Sequence, residues 1–271
     1  MQVVVNQSLD QVPTDIELLP TTGGFFENLL LSCGYSNEHL PVADLLRQAL
    51  NLKEGKWVVV SPIHWEASHN DATISAVGSN LDLSDDEAKQ WFDVFADFIQ
   101  HDGMEVVFVN NYTWLINIHN LPTIHSKPLY QVVNQSILPH LKALDEGMYW
   151  QRFITETQML LNSHPLNAER PGLPINGVWL WGEGQLSPPT SLPVLISDDT
   201  LKPYASILST NVNHYTPTVK HNKNNILLLS TLPESKRHTL AMALKRYKTC
   251  WYWNNGAYKH RKRGWISRIW S

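Results

Sequence analysis

A chain of 271 residues, 43% of them hydrophobic, is long enough for one large domain or two small ones and apolar enough for a core. No apolar run approaches the ~20 residues that a membrane span needs, and the opening MQVVVNQSLDQVPTD lacks the basic and apolar stretches of a secretory signal. The net charge of -4 is unevenly spread: ten of the 21 Lys and Arg follow Glu234, where no acid occurs, so an acidic body carries a basic end. Cys33 and Cys250 lie far apart and make no metal-ligand pair, and a cytoplasmic, reduced protein is the simplest reading.

In chain order, Val3 to Val5 reads as an opening strand. Gly23-Gly24 leads into a short helix through Phe25, Phe26, Leu29 and Leu30, ending near Gly34. Pro41 starts a second helix, where a missing N–H does no harm, and its apolar residues recur at helical spacing until Gly55. Trp57 to Ser61 (WVVVS) is a β-branched run and predicts a buried strand. Ligands in open α/β sheets gather beyond the carboxyl ends of strands. On that reading His64 and Asp71, placed after this strand, are candidate ligand contacts, and the bland alternative is a core or capping histidine.

Ser84 to Glu87 has the form of a capping box before a helix carrying Ala88, Trp91, Phe92, Phe95, Phe98 and Ile99, stopped by Asp102-Gly103. Two strands, Glu105 to Val109 and Thr113 to Ile118, flank a hairpin turn at Asn110-Asn111. Asn120 to Lys127 reads as loop, and Leu129 to Leu144 as helix broken by Pro139.

The stretch Trp150 to Gly184 then combines a helix stopped by Pro165, a polar turn, a loop and a strand at Val178 to Trp181 ending in Gly182-x-Gly184. His164, Asn167, Arg170 and Asn176 form the densest polar constellation in the chain. An arginine there can clamp phosphate or carboxylate with two hydrogen bonds. Equally, His164 and Asn167 can bond the turn itself while Arg170 pairs with a surface acid.

After a proline-rich connector, Val194 to Ile196 predicts a strand. Asp198 and Asp199 read either as a metal pair or as ordinary helix caps, and the cap is favoured for want of a His or Cys at ligand spacing. Ile226 to Leu229 is a buried strand, and Pro233 to Thr249 a basic helix with Leu240, Ala243, Leu244 and Tyr247 inward. A hairpin around Asn254-Asn255-Gly256 follows, with Trp265, Ile266, Ile269 and Trp270 closing the chain. Strands alternating with helices predict an α/β or α+β fold, a mixed sheet with flanking helices, in a single domain over 1–271.

P-loop, dinucleotide, HExxH and GxSxG motifs do not occur. No metal and no cofactor are expected. Aromatics interleaved with cations near the C-terminus can stack on nucleic acid. Nucleic acid is nevertheless disfavoured, because alternate strand residues face opposite ways and the aromatics can be core.

The run WQRFITETQMLLNSHPLNAERPGLPINGVWLWGEG resembles the RpfE-type regulatory proteins of bacteria, which carry a W…E-x-QM-x-L-x-x-HP-x-N-x-x-R…N-x-x-W-x-WG-x-G pattern. Ser61-Pro62-Ile63-His64 is similar to the family's D-P-V-H segment, with Ser61 in place of Asp. The family-like region is 57–271, and 1–56 is less diagnostic. Members are often labelled similar to cofactor-independent phosphoglycerate mutases, metal-dependent enzymes of the alkaline-phosphatase-like α/β group. The resemblance therefore implies a segment of that core, from Asn167 to Gly184. It does not bring the catalysis. The mutases need two divalent metals, Asp and His ligands and a serine nucleophile. This chain has no Asp-Gly pair after its first strand and no Asp-x-x-Gly-His segment, and His214-Tyr215-Thr216-Pro217 only faintly echoes a ligand motif.

The resulting expectation is a cytoplasmic regulatory-type protein that binds a small anionic ligand. The candidate contacts are His64, Asp71, His164, Asn167, Arg170, Asn176 and Glu183, with the protein partner unknown. One alternative is an active phosphoglycerate mutase or related phosphate-transfer enzyme. Another is a nucleic-acid or protein interaction module acting through the basic C-terminal end.

Overall fold

The computed structural model describes residues 1–20, 23–38, 40–69, 71–100, 103–187 and 193–260. Strands β1 (Gln2–Val5) and β2 (Ile16–Leu19) and helix α1 (Phe25–Ser32) come first. Next are α2 (Val42–Ala49), β3 (Trp57–Ala67), β4 (Ala72–Val77), α3 (Asp85–Gln100), β5 (Val106–Asn110) and β6 (Thr113–Asn117). Then come the single turns α4 (Leu129–Val132) and α5 (Leu138–Lys142), followed by α6 (Tyr149–Asn162), a further turn α7 (Leu166–Glu169) and β7 (Gly177–Trp181). The last part holds β8 (Val194–Ser197), α8 (Lys202–Leu208), β9 (Val212–His214), β10 (Asn225–Leu229), α9 (Glu234–Leu244), β11 (Cys250–Trp253) and β12 (Gly256–His260). The closing residues Trp265, Ile266, Ile269 and Trp270 lie outside the described residues, as do Asp102 of the predicted helix stop and part of the proline-rich connector. The architecture is mixed α/β, with two sheets in two compact units: Met1–Tyr35 with Ser187–Ser271, and Ser36–Leu186.

The first unit is built on a seven-stranded sheet in the order β2-β12-β11-β1-β10-β8-β9. β11, β1, β10, β8 and β9 run parallel, while β12 is antiparallel to both neighbours. Parallel strands covered on both faces need apolar residues at every position. Val3, Val4 and Val5 meet that demand and are fully buried. Val3, Val5, Leu227, Leu229, Trp251 and Trp253 form one core with Leu240 and Leu244 of α9. Val4 and Leu228, which alternation turns to the other face, are equally buried, and α1 packs against β1 and β11. Ala243, expected inward, is exposed. The predicted hairpin forms, but its turn is Asn254-Asn255: Gly256 pairs with Trp253 as the first residue of β12.

The second unit holds a five-stranded antiparallel sheet around β3. β3 is the principal correction to the sequence reading. The predicted strand ends at Ser61, but β3 runs 11 residues, through Pro62 and His64 to Ala67. Proline is disfavoured inside sheets because it lacks a donor. The register removes the objection. β7 pairs along residues 59–63, while on the opposite edge β6 stops at Val60 and β4 begins at Ile63. Pro62 therefore stands where one edge has no neighbouring strand. A bulge follows between His64 and Trp65.

The predicted helix over Leu129 to Leu144 is also corrected. It is two separate turns, and the break lies at Val133–Ser136, where Val133 is extended and bridges to β4. Pro139 sits at the start of α5, where its missing N–H is harmless. α6 keeps its predicted greasy face, with Trp150, Phe153, Ile154 and Leu161 buried, and it packs against β7. The Asp145 carboxylate accepts the N–H groups of Tyr149 and Trp150 at 2.9 and 3.0 Å, satisfying donors at the positive end of α6. Gly182 follows β7 at φ +75, where a Cβ would lie 3.2 Å from Val42 and 3.3 Å from Val59, so glycine is required at this close approach.

Candidate functional site

The polar turn after α6 is the first place to look, and its groups are committed to the fold. Asn167 donates to the Leu161 and Ile175 carbonyls at 2.9 and 3.0 Å and accepts the Ile175 N–H at 2.8 Å. A side chain that closes a loop on itself this way replaces backbone pairing that the loop lacks. His164 Nδ1 accepts the Leu166 N–H at 3.3 Å, and its ring sits edge-on to Trp91. The Arg170 side chain is buried, with its guanidinium paired to Glu87 and donating to the Leu81 and Leu173 carbonyls. The Ser84 hydroxyl caps the Glu87 N–H, but the Glu87 side chain serves Arg170 rather than closing the capping box.

The other candidates behave alike. Asn176 meets the backbone of Trp65, accepting its N–H and donating to its carbonyl, both at 2.8 Å. It thus acts as a strand partner at the bulge. His64 lies inside β3, not beyond it, and Nδ1 donates to the Pro174 carbonyl at 2.8 Å, leaving Nε2 3.9 Å from Glu66. Asp71 Oδ1 accepts the Ala72 N–H and the Ser136 hydroxyl, and Glu183 accepts both the N–H and the hydroxyl of Ser126 at 2.7 Å. His64, Asn167, Arg170 and Asn176 all bond around the loop 170–176, whereas Asp71 and Glu183 tie down other segments.

In the first unit, Asp198 accepts the Leu201 N–H at 3.1 Å and the Ser230 N–H at 2.6 Å; it closes the turn ahead of α8, whose cap position is Leu201, so the expected helix-cap role is not the one it takes. Asp199 lies 3.3 Å from His214 on the surface. Among the described residues, no three His, Cys, Asp or Glu side chains are placed to hold a metal ion. No helix of the described residues is long and apolar enough to cross a membrane.

The concave feature with a consistent chemistry lies at the amino-terminal edge of the first unit's sheet. His221–Lys223, leading into β10, and Arg246–Lys248, leading into β11, face a cleft of about 610 Å³ with Met1 of the intervening β1 edge between them. Every ionisable side chain of the lining other than tyrosine is basic: His221, Lys223, Arg246 and Lys248. Arg246 lies over the Tyr247 ring, 4.9 Å from its centroid, and the Tyr247 hydroxyl donates to the His221 carbonyl. Burial, and then the Arg246 charge, push the His221 imidazole below its ordinary pKa, and Nδ1 is buried without a partner. The basic C-terminal end is visible in the sequence, but this convergence is not. Lys223 lies outside the basic run, and only the strand order β11-β1-β10 brings the two segments together.

No family model matches the chain, and no curated protein matches it. Among solved structures it is similar to a cofactor-independent phosphoglycerate mutase from Thermoplasma acidophilum DSM 1728, over 97% of this chain and 89% of that one, at 12% identity and a TM-score of 0.35. A likeness at that level carries no weight for fold or chemistry.

Proposed function

We propose that this is a binding protein for a small anionic ligand, of the regulatory RpfE type that the Trp150 to Gly184 pattern resembles. The ligand sits in the cleft between His221–Lys223 and Arg246–Lys248. One observation carries the reading: a concavity within the size range of small-molecule sites, whose charged side chains are all basic. Lys and Arg attract and hydrogen-bond phosphate and carboxylate oxygens, and a concave wall focuses their field. The cytoplasmic placement is part of the same proposal, supported by the unpaired Cys33 and Cys250.

The test is a melting-shift and calorimetric titration of the full chain with sulfate and orthophosphate at low salt. Saturable binding that is lost in the Lys223→Ala/Arg246→Ala double variant is expected. Binding that survives in that variant places the anion elsewhere. Turnover of 3-phosphoglycerate by the purified chain would replace the binding reading with an enzymatic one.

A further inference from the structure

Resting on the anion-binding reading, we infer that the cleft selects a ligand carrying two phosphate groups over one carrying a single phosphate. The side-chain cations stand in two banks, Lys223 on one and Arg246 with Lys248 on the other, and the Met1 amine, which donates to the Lys248 carbonyl at 3.2 Å, belongs with the second. The banks lead into β10 and β11, which flank β1. Two strand spacings set their backbones about 10 Å apart. A single phosphate held by one bank leaves the opposite charge unmet. Drawing both banks onto one phosphorus brings Lys223 and Arg246 together, and their repulsion grows as the distance shrinks. A ligand with two phosphates gives each bank its own anion.

The banks are also held in place. The Tyr247 hydroxyl bonds the His221 carbonyl, tying one segment to the other, and the Tyr247 ring supports the Arg246 guanidinium. A site fixed before binding loses less freedom on ligation, so the second contact adds to affinity rather than being spent on ordering.

The experiment compares orthophosphate and sulfate with pyrophosphate and propane-1,3-bisphosphonate by calorimetry on the full chain at fixed ionic strength. The two-phosphate probes are expected to bind about tenfold tighter or more. Lys223→Ala, checked for an unchanged melting curve, should bring them down to the orthophosphate level. If pyrophosphate binds no tighter than orthophosphate, or keeps its advantage in Lys223→Ala, the two-bank inference is overturned while anion binding stands. If none of the four probes binds, anion binding itself falls.

Discussion

Glu87, in the first turn of α3, and Arg170, just after α7, form an ion pair in which the arginine side chain is only 1% exposed. The guanidinium also serves two backbone carbonyls, so it holds the loop after α6 to the start of α3.

Removing one partner of such a pair leaves a charge without compensation in a poorly solvated place. Glu87→Ala is expected to cost about 3 kcal/mol, the low end for buried pairs because Glu87 is partly exposed. Glu87→Gln, which keeps an acceptor, should cost less. Urea unfolding of the full chain measures both, and a loss under about 1 kcal/mol in Glu87→Ala would mark the pair as an ordinary surface one.

The bulge in β3 makes a second expectation. Asn176 supplies both a donor and an acceptor to the Trp65 backbone, so Asn176→Ala should destabilise by about 2 kcal/mol, while Asn176→Asp keeps only the acceptor. Hydrogen exchange at the Trp65 amide reads this locally. Unchanged protection in the alanine variant would mean that the amide does not hold the bulge.

Glu27 makes stability depend on pH. It is buried at the start of α1, and desolvation raises its carboxyl from 4.5 to about 7 against the smaller opposing effect of backbone N–H groups. Its Oε1 has no partner among the described residues. The folded state therefore binds more protons than the unfolded one between those values, and stability falls as pH rises through the window. The whole shift is worth about 3 kcal/mol. Glu27→Gln should remove the slope and be the more stable protein above pH ~7, with the two converging in acid. A parent whose stability is flat across the window would contradict this.

His221 gives the cleft its own pH response. An anion beside Arg246 offsets the charge that helps keep the imidazole neutral, so binding takes up a proton. Sulfate does not titrate in the range, which makes it the right probe. Its affinity should rise from about pH 8 to about pH 5.5, and His221→Gln should leave only the part owed to the Met1 amine, whose pKa burial lowers from 8.0. A pH-independent parent would place the imidazole away from the anion.

The unit Ser36–Leu186 is continuous in sequence and contains a complete sheet. Expressed alone, it should give a cooperative melt. A fragment that unfolds without a transition would favour the single domain expected from the sequence.

Much of this fold is written locally. The periodic apolar positions of α3 and α6, the all-apolar runs at Val3 and Ile226, and the hairpin at Asn254-Asn255 each identify themselves within a few residues. The short strands β2, β4 and β9 do not, because three to six residues of mixed polarity carry little pattern until a partner strand selects them. The continuation of β3 through Pro62 is not legible in the sequence, since the gap on one of its edges depends on where β4 begins and β6 ends. The candidate site was harder still. The polar residues around Arg170 stand out in sequence, yet the donors and acceptors they meet are backbone groups, which no residue pattern displays. The cleft's cations look scattered until three parallel strands are placed side by side.

The order of those strands has a consequence during synthesis. β1 leaves the ribosome well before both of its partners, β10 and β11, which lie far along the chain from it. Pairings so distant along the chain form slowly. Throughout elongation the nascent protein carries an unclaimed valine ribbon, while the central segment can already fold behind it. A charge placed in that ribbon should reduce its association with other chains only by forfeiting the sheet, since Val3, Val4 and Val5 are all fully buried in it.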